Sequence, residues 1–439
     1  MAKTFRGGVH PDDQKRYTAA KPIEVAPVPQ KVIIPTRQHI GAPCTAVVKV
    51  GDLVKKGQVI AEAQAFVSSP VHASISGKVA EIAEYPHPVF GACTAIVIES
   101  DGLDEWVEGL PLERDWETLE ANAIKDIIRQ AGIVGMGGAT FPTHVKMAPP
   151  PEKAIDSLIL NAAECEPFLT ADHRVMLEAA ERVVTGMRIS MKVLGVTKGY
   201  IGIEENKPDA IAVMQKAVTG TGIVVVPLKT KYPQGAEKTL IKVIVDREVP
   251  SGGLPMDVGV VVQNVGTVVA IADAVQKGLP LIERVTTVTG GAVNEPKNLL
   301  LRVGTTFAQA IELCGGFKES PAKLIMGGPM MGMAQCRIDV PVIKGTSGIL
   351  ALSSSDVNAG EEKPCIRCGR CVNACPMGLV PSMLSILGQQ GLYETAKEDF
   401  DLLDCVECGS CVYVCPAKRN IVHYVKYLKA QNAAAAAKK

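Results

Sequence analysis

The sequence has few aromatic residues, no excess of charge of either sign and no long apolar run. Aromatic residues make up 4% of the 439 residues, so the core must be built mostly from aliphatic side chains. Forty-six basic and 46 acidic residues cancel, which removes the electrostatic basis for nucleic acid as a partner. The most apolar long stretch, 256–275, contains two aspartates. Since a transmembrane helix needs about 20 mostly apolar residues, none is predicted.

The sequence also lacks the signs of a secreted protein. Its first residues, MAKTFRGGVHPDDQKR, are polar and contain no apolar signal segment. Thirteen cysteines are present, but a disulfide framework is typical of short secreted chains, so we expect a reducing compartment, the cytoplasm. Five cysteines lie outside any motif, and most of them are expected to be small buried side chains. These five are Cys44, Cys93, Cys165, Cys314 and Cys336.

Changes of pattern along the chain predict a multidomain α/β protein. Short Val- and Ile-rich runs broken by Gly, Pro and Asp indicate a first β domain. Strand-like and helix-like runs then alternate, which predicts a sheet covered by helices. The predicted units are an irregular N-terminal segment at 1–26, a β domain at 27–105, an α/β domain at 112–280, a smaller unit at 281–335, a cysteine-rich unit at 355–428 and a low-complexity tail at 429–439.

Two of these units resemble known β folds. The stretch 47–82 resembles the lipoyl and biotinyl barrel-sandwich fold, in which a modified lysine stands at a hairpin tip. Here the tip falls near Phe66, and no lysine occurs between Gly57 and Gly77. We therefore expect a lipoyl-like barrel-sandwich domain without the covalent carrier function. The unit at 281–335 resembles a β-grasp module of the soluble-ligand-binding (SLBB) type.

Eight of the cysteines lie in two runs of identical spacing near the C-terminus. Each run has the form CxxCxxCxxxCP. This spacing is typical of proteins with two [4Fe–4S] clusters, in which three cysteines of one run share a cluster with the fourth cysteine of the other. The predicted ligands are Cys365, Cys368, Cys371 and Cys415 for cluster 1, and Cys405, Cys408, Cys411 and Cys375 for cluster 2.

A pair of zinc sites is the alternative for these cysteines. Zinc ribbons and fingers place a longer spacer between CxxC pairs and often include His, whereas each run here has four cysteines and ends in Pro. The repeated spacing therefore favours iron–sulfur clusters. The segment between the runs, 376–404, has a helical pattern, which predicts a helical double [4Fe–4S] ferredoxin module.

A glycine-dense stretch, GIVGMGGATFPTHVK at 132–146, is the second candidate site. Glycines let backbone N–H groups approach a phosphate or a flat ring that a Cβ would keep away. This signal is weak on its own, because the stretch is neither a GxGxxG motif nor a Walker motif. Three further motifs accompany it: NAAECEP at 161–167, YPQGAEKT at 232–239 and QNVGT at 263–267.

Taken in order, these motifs resemble those of the flavoprotein subunit of complex I, which binds FMN and NADH. They resemble still more closely the C subunit of Rnf-type electron transport complexes. The segments that carry this resemblance are FRGGVHP, GGATFPTHVK, NAAECEPFLTADHR, YPQGAEKTLI, MGGPMMG and KGTSGIL, followed by the two cysteine runs. The resemblance extends over residues 5–427. It implies a complex I flavoprotein-like α/β domain that carries FMN, with NAD(H) as substrate.

The resemblance assigns cofactor contacts position by position. The residues that match the FMN- and NADH-binding motifs are Gly135, Gly137, Gly138, Phe141, Lys146, Asn161, Glu164, Glu166, Gly235, Glu237, Asn264 and Thr267. Carboxylates such as Glu164 and Glu166 can bind ribose hydroxyls and repel the 2′-phosphate of NADPH. Three positions depart from the complex I pattern: Ala163, Ala236 and Gln263. The resemblance therefore implies a similar site with altered contacts to flavin or nucleotide.

The resemblance also implies a function. The chain would be an electron-input subunit that exchanges hydride between NAD(H) and flavin and passes single electrons through the two clusters. It would lie at the cytoplasmic face of the cell membrane as a peripheral part of an ion-translocating ferredoxin:NAD oxidoreductase. The expected partners are other subunits of that complex, including one with its own iron–sulfur or flavin centre, and ferredoxin indirectly.

Two alternatives remain beside this function. One is a cobalamin reductase of similar architecture, and the other is a non-catalytic assembly module of a redox complex. The KGTSGIL and ECEP segments favour the Rnf-type protein over the first. The retained Lys146, Glu164 and Asn264 favour an active protein over the second.

The cysteine runs generate a first testable prediction. Anaerobically purified protein should contain about eight iron atoms and about eight acid-labile sulfides per chain, because each cubane holds four of each. Colorimetric iron and sulfide assays on the same sample measure both. A preparation with two zinc ions and no sulfide would contradict the cluster assignment.

Overall fold

The computed structural model describes residues 2–357 and 360–436. Residue 1, residues 358–359 of the predicted cysteine-rich unit and residues 437–439 of the predicted tail lie outside the described residues. Four sheets, of six, four, four and three strands, and a C-terminal helical unit make up the described part. No helix within it is long and apolar enough to cross a membrane.

The N-terminal segment lies across other parts of the chain and forms no unit of its own. Lys3 and Val9 form β-bridges with Leu228 and Tyr232, more than 200 residues later. Strand β1 (Ile23–Val25) joins a sheet formed mainly by the β-grasp unit. The segment looks irregular in the sequence because its pairing partners are distant and its own strand has only three residues.

The first domain is a β-sandwich of two small sheets. Its strands are β2 (Lys31–Pro35), β3 (Thr45–Ala46), β4 (Leu53–Val54), β5 (Val59–Glu62), β6 (Val71–His72), β7 (Gly77–His87) and β8 (Gly91–Ser100). The sheet orders are β2-β8-β7-β4 and β3-β5-β6. Aliphatic side chains such as Ile34, Ile60 and Ile96 fill the space between them. This is the barrel-sandwich arrangement predicted from the sequence.

The second domain is a parallel sheet with helices on its faces. Its elements are α1 (Ala121–Gln130), α2 (Thr143–Lys146), β9 (Ser157–Ala162), α3 (Ala171–Glu178), α4 (Ala180–Leu194), β10 (Lys198–Glu204), α5 (Pro208–Ala217), β11 (Ile223–Leu228), α6 (Glu237–Val245), β12 (Val260–Asn264) and α7 (Val265–Lys277). The strand order is β11-β10-β9-β12, and all neighbours are parallel. The chain therefore adds β10 and then β11 on one side of β9, and crosses over to add β12 on the other side.

The third unit is a mixed sheet with one short helix. Its elements are β13 (Glu283–Thr289), β14 (Lys297–Arg302), α8 (Phe307–Glu312), β15 (Lys323–Met326), β16 (Met333–Gln335) and β17 (Gly348–Leu352). The strand order is β1-β14-β13-β17-β15-β16. Two of the six strands, β1 and β17, thus come from outside the range 281–335 that the sequence pattern indicated. β17 lies in the middle of the sheet and is fully buried, so the fold of this unit depends on it.

The C-terminal unit is helical, as its pattern predicted. Its helices are α9 (Arg370–Ala374), α10 (Pro381–Gln390), α11 (Tyr393–Glu398), α12 (Ser410–Tyr413) and α13 (Ile421–Ala436). Leu384, Leu387, Leu402 and Leu428 form its core. Helix α13 continues into the predicted tail. Four short 3₁₀ turns complete the described structure, at Lys15–Tyr17, Trp116–Thr118, Pro255–Val258 and Leu402–Asp404.

The close contact between α4 and α7 generates a prediction of stability. A Cβ on Gly186 would lie 1.7 Å from the carbonyl oxygen of Val268, so Gly186→Ala must push the two helices apart. We expect a loss of about 2–3 kcal/mol and a thermal midpoint about 5 °C lower by circular dichroism. The control is Glu181→Ala on the exposed side of the same helix, which should change little. Equal midpoints for both variants would contradict the tight contact.

Candidate functional site

The carboxyl ends of β9 and β12 form a crevice at the edge of the parallel sheet. Asn161 near the end of β9 and Asn264 at the end of β12 stand directly opposite each other in the register of the two strands. The strand order reverses between these two strands. In open α/β sheets, such a switch point is where ligands bind, because the flanking connections leave in opposite directions.

The glycine-dense stretch folds into a closed loop beside this crevice. Val134 and Pro142 form a β-bridge at its base, and the N–H of Gly135 donates to the carbonyl of Phe141 at 2.9 Å. The N–H of Met136 donates to the buried Oγ1 of Thr267 at 2.9 Å. The structure thus gives Thr267 the role of holding the loop against the first turn of α7.

Glycine is favoured at two positions of this loop, by a close neighbour at Gly137 and by the backbone conformation at Gly138. A Cβ on Gly137 would lie 3.1 Å from Nδ2 of Asn264, so a side chain there would crowd the crevice. Gly138 has φ +104°, which only glycine adopts easily, and nothing lies within 4 Å of where its Cβ would be. The loop therefore presents bare backbone to open space, which fits a flat ring or a phosphate.

Lys146 and Glu237 form an ion pair next to the loop. Nζ of Lys146 lies 2.8 Å from Oε1 of Glu237, and both side chains are partly exposed. Lys146 is the last residue of α2, and Glu237 is the first residue of α6. A partly exposed pair of this kind contributes little stability. Its ammonium is held in place and remains accessible to an anionic ligand.

Asn161 and Gly235 join two of the predicted motifs. Nδ2 of Asn161 donates to the carbonyl of Gly235 at 2.8 Å, and the N–H of Gly235 donates to Sγ of Cys165 at 3.3 Å. Burial raises the pKa of the Cys165 thiol. Cys165 is therefore a neutral hydrogen-bonding group next to the crevice. The sequence analysis expected most cysteines outside the two runs to be small buried side chains.

Both predicted nucleotide-binding carboxylates take part in contacts within the protein. Glu164 accepts the N–H groups of Asp172 and His173, at 2.7 and 3.1 Å, and so caps α3. Glu166 accepts the N–H groups of Met330 and Met331, at 3.0 and 2.8 Å. Burial raises the pKa of Glu166, and these hydrogen bonds oppose the rise. Their role toward a ribose stays a prediction.

Two residues of the site, Asp172 and Lys15, were not among the predicted site residues. Asp172 accepts from Nδ2 of Asn264 at 2.6 Å, and its buried Oδ1 has no partner among the described residues. Burial and, after it, the charge of Glu164 raise the pKa of Asp172. Lys15 donates to three carbonyl oxygens, including those of Glu164 and Leu169. Asp172 lies in the TADHR segment, a few residues after the ECEP motif, so its position could have indicated a role in the site. Lys15 has no such neighbouring motif.

The tip of the barrel-sandwich hairpin touches the end of the glycine loop. Nε2 of His144 donates to the carbonyl of Phe66 at 3.2 Å, and the two rings meet edge to face. Burial lowers the pKa of His144, so this imidazole is neutral at physiological pH. The structure thus places the tip, which lacks a lysine, against the domain that carries the loop.

The predicted ligands of cluster 2 line one cavity. Cys375, Cys405, Cys408 and Cys411 all face it, together with apolar side chains such as Leu379 and Val425. Cys375 comes from the first run and the other three from the second, and their assignment to one cluster stays a prediction. Among the described residues, no three Cys, His, Asp or Glu side chains converge closely enough for a single metal ion.

The two cysteine runs have the same backbone conformation. The second residue after the first cysteine is left-handed in both, at Arg367 (φ 55°) and Glu407 (φ 56°). Each of these residues donates its N–H to the sulfur of that first cysteine, at 3.4 Å in both runs. Among the predicted ligands of cluster 1, Cys371 is buried and Cys368 is exposed. The structure gives both runs a shape that suits iron–sulfur clusters.

An apolar layer connects the crevice with the cavity of cluster 2. Val9, Tyr232, Ala374 and Cys408 are buried against one another in it, and Cys165 packs against them. Tyr232 and Cys165 belong to the motifs around the crevice, whereas Ala374 and Cys408 belong to the cysteine runs. The candidate flavin and cluster sites are therefore joined through packed, apolar side chains.

Comparisons with known proteins agree with this arrangement. The family described as Nuo51 FMN-binding domain matches residues 128–273, and the 4Fe-4S dicluster domain matches residues 359–416. The RnfC barrel sandwich hybrid domain matches residues 3–103, and the SLBB domain matches residues 285–334.

Similar proteins of the same length decide the family. The C subunit of the proton-translocating ferredoxin:NAD(+) oxidoreductase complex of Clostridium ljungdahlii is 66% identical, over 99% of this chain and 95% of its own length. The chain belongs to the RnfC family. The C subunit of the Na(+)-translocating ferredoxin:NAD(+) oxidoreductase complex of Acetobacterium woodii is 50% identical, over 98% of this chain and 97% of its own.

A solved structure agrees with the fold of this RnfC family member. A chain of an NAD+-reducing [NiFe]-hydrogenase superposes with a TM-score of 0.51 at 17% identity, over 74% of this chain and 65% of the hydrogenase chain. This similarity bears on the fold alone. Together with the family matches, it confirms the predicted fold class, and the matches confirm FMN and two [4Fe–4S] clusters as cofactors. The predicted class, an NAD-linked oxidoreductase subunit, is confirmed as well.

The ion pair beside the loop generates a prediction of cofactor affinity. Lys146→Ala should raise the dissociation constant of FMN about tenfold and slow NADH:ferricyanide turnover, because a positioned ammonium near an anionic ligand is lost. Fluorescence titration of the apoprotein with FMN measures the first effect. The matched control is Lys153→Ala, which breaks a comparable ion pair with Asp257. Unchanged affinity in Lys146→Ala would remove this lysine from the site.

Proposed function

We propose that the chain is the peripheral electron-input subunit of an ion-translocating ferredoxin:NAD oxidoreductase. It exchanges hydride between NAD(H) and FMN and relays single electrons through two [4Fe–4S] clusters. The apolar layer between Tyr232, Cys165 and Cys408 is the observation that carries this proposal. It connects the nucleotide end of the molecule with the cluster end through packed side chains.

The proposed cofactor site is the crevice between β9 and β12. Its residues are Gly135, Gly137, Gly138, Phe141, Lys146, Asn161, Glu164, Glu166, Gly235, Glu237, Asn264 and Thr267. The backbone of the glycine loop and the ammonium of Lys146 suit the flavin ring and an anionic phosphate respectively. The proposed domain extents are the units at 27–105, 112–280, 281–335 and 355–428, with β1 and β17 completing the third.

When bound, FMN supplies the conversion between a two-electron hydride and single electrons. The protein's own residues bind, orient and exclude water. Thr267 holds the glycine loop at the first turn of α7 by accepting the N–H of Met136, and Asn264 caps that turn by accepting the N–H of Gly266. The unpartnered Oδ1 of Asp172 offers an acceptor at the floor of the crevice. Glu164 anchors the N-terminus of α3 beneath it.

The structure favours an order for the two clusters. Cys408, a ligand of cluster 2, lies in the apolar layer beside Cys165. The residues of this layer include none of the predicted ligands of cluster 1, and one of those ligands, Cys368, is exposed. We assign cluster 2 as the acceptor from flavin and cluster 1 as the exit from this chain.

The proposed partners and location follow from the family. The names of the relatives describe subunits of ion-translocating complexes. We propose that this chain is held at the cytoplasmic face of the membrane by contacts with other subunits of such a complex, one of which carries its own redox centre. Ferredoxin would then exchange electrons with this chain only through those subunits.

Replacement of one ligand of cluster 2 tests the proposal. In Cys408→Ser, NADH should still bleach the flavin absorbance at the wild-type rate, because the crevice is intact. Reduction of cytochrome c by NADH should fall at least tenfold, because the route through cluster 2 is broken. Anaerobic stopped-flow absorbance follows both.

The matched control is Cys336→Ser, since Cys336 is exposed and outside both runs. It should behave like the wild type in both assays. Circular dichroism checks that Cys408→Ser keeps its fold. Wild-type electron transfer to cytochrome c in Cys408→Ser would contradict the proposed route.

A further inference from the structure

The two clusters differ in how the rest of the chain covers them. Around cluster 2, a Cβ on Gly7 would lie 2.7 Å from the carbonyl of Cys375, and one on Gly409 would lie 3.0 Å from the carbonyl of Met330. The N-terminal segment and the β-grasp unit therefore cover that cluster. The apolar cluster around Cys371, by contrast, is formed by side chains of the C-terminal unit itself.

The loop of the first run forms an exposed surface over cluster 1. We define this outer rim as Lys363, Ile366, Arg367, Cys368 and Arg370, all of which are exposed. Ile366 is 67% exposed although it is apolar. Within the part of the chain that the structure describes, neither Arg367 nor Arg370 has an ion-pair partner.

The outer rim carries charge of one sign. Residues 363–371 contain three basic residues and no acidic one. Glu361 and Glu362 precede them, and Glu362 is paired with Arg419 at 3.3 Å. Residues 394–407, which lead to cluster 2, contain six acidic residues and one lysine. Although the net charge of the chain is zero, residues 363–371 of the C-terminal unit are basic and residues 394–407 are acidic.

We propose that the outer rim is the docking surface for the redox-bearing partner subunit, a one-electron carrier whose own contact face is acidic. The proposal deepens the proposed function and rests on it for the direction of electron flow. In each encounter one electron leaves cluster 1 and reduces the metal or flavin centre of the carrier, and no bond is made or broken. Transient redox complexes use small interfaces, which suits a rim of five residues.

The proposed binding combines electrostatic attraction of the partner by Arg367 and Arg370 with an apolar contact at Ile366. Arginines at a rim raise the rate of encounter with an acidic partner and are screened by salt. Ile366 can be desolvated at the centre, which excludes water from the path between the two redox centres. Guanidinium groups also pair with carboxylates through two parallel hydrogen bonds, so they orient the partner.

Binding of an acidic rubredoxin, used as a probe, tests the surface. Zinc-substituted rubredoxin is redox-inert and reports affinity alone, by NMR titration with the full holo chain. Arg367→Glu/Arg370→Glu should weaken this binding about tenfold at low salt, and the affinity of the variant should no longer fall as the ionic strength rises. In the same variant, NADH-driven reduction of iron rubredoxin should slow by a similar factor.

The matched control is Lys216→Glu/Lys397→Glu, which makes the same change of net charge at exposed positions outside the rim. It should leave rubredoxin binding within a factor of two of the wild type. Unchanged binding in the arginine variant, or an equal loss in the control, would overturn the docking surface. A different result would bear on the proposed function alone. If NADH fails to reduce the flavin but rubredoxin binding still depends on the two arginines, the proposed function is wrong and the docking surface is retained.

Discussion

The half-buried side chain of Glu166 makes the contact on which the arrangement of the domains depends. It accepts the N–H groups of Met330 and Met331 from the β-grasp unit, and the hydroxyl of Tyr232 donates to it at 3.3 Å. Hydrogen bonds to a charged group each contribute about 1.5–3 kcal/mol, and an unsatisfied buried carboxylate would cost more than that. Met330 in turn packs on Gly409 in the second cysteine run. One side chain thus ties the α/β domain, the β-grasp loop and the cluster unit together.

Much of this architecture could be predicted from local patterns. The spacing of the cysteines indicated both clusters and the exchange of Cys375, and the structure places Cys375 in a cavity with Cys405, Cys408 and Cys411. Alternating strands and helices indicated the parallel sheet. These features share one property: the residues that define each of them lie close together in the sequence or repeat with a period.

Other parts could not be predicted, because they depend on pairing between distant segments. β17 belongs to the β-grasp sheet, but a long loop separates it from β16. The carboxylates of Glu164 and Glu166 matched a nucleotide-binding motif, and the sequence held no sign that backbone amides would occupy them. Lys15 stands in a polar stretch like any surface lysine, yet it is buried under three carbonyl oxygens. A motif specifies residue types at fixed spacing in one segment. The contacts of these residues also depend on which groups of distant segments pack against them.

The N-terminal segment has a consequence for synthesis of the chain. The N–H of Gly8 donates to the carbonyl of Ala374 at 2.9 Å, a contact between residues more than 360 positions apart. At translation rates of about 5–20 residues per second, Ala374 is synthesised on the order of tens of seconds after Gly8. β1 waits almost as long for β14. The barrel-sandwich and α/β domains can fold during synthesis, whereas closure of the segment over cluster 2 has to wait until the first cysteine run has been made.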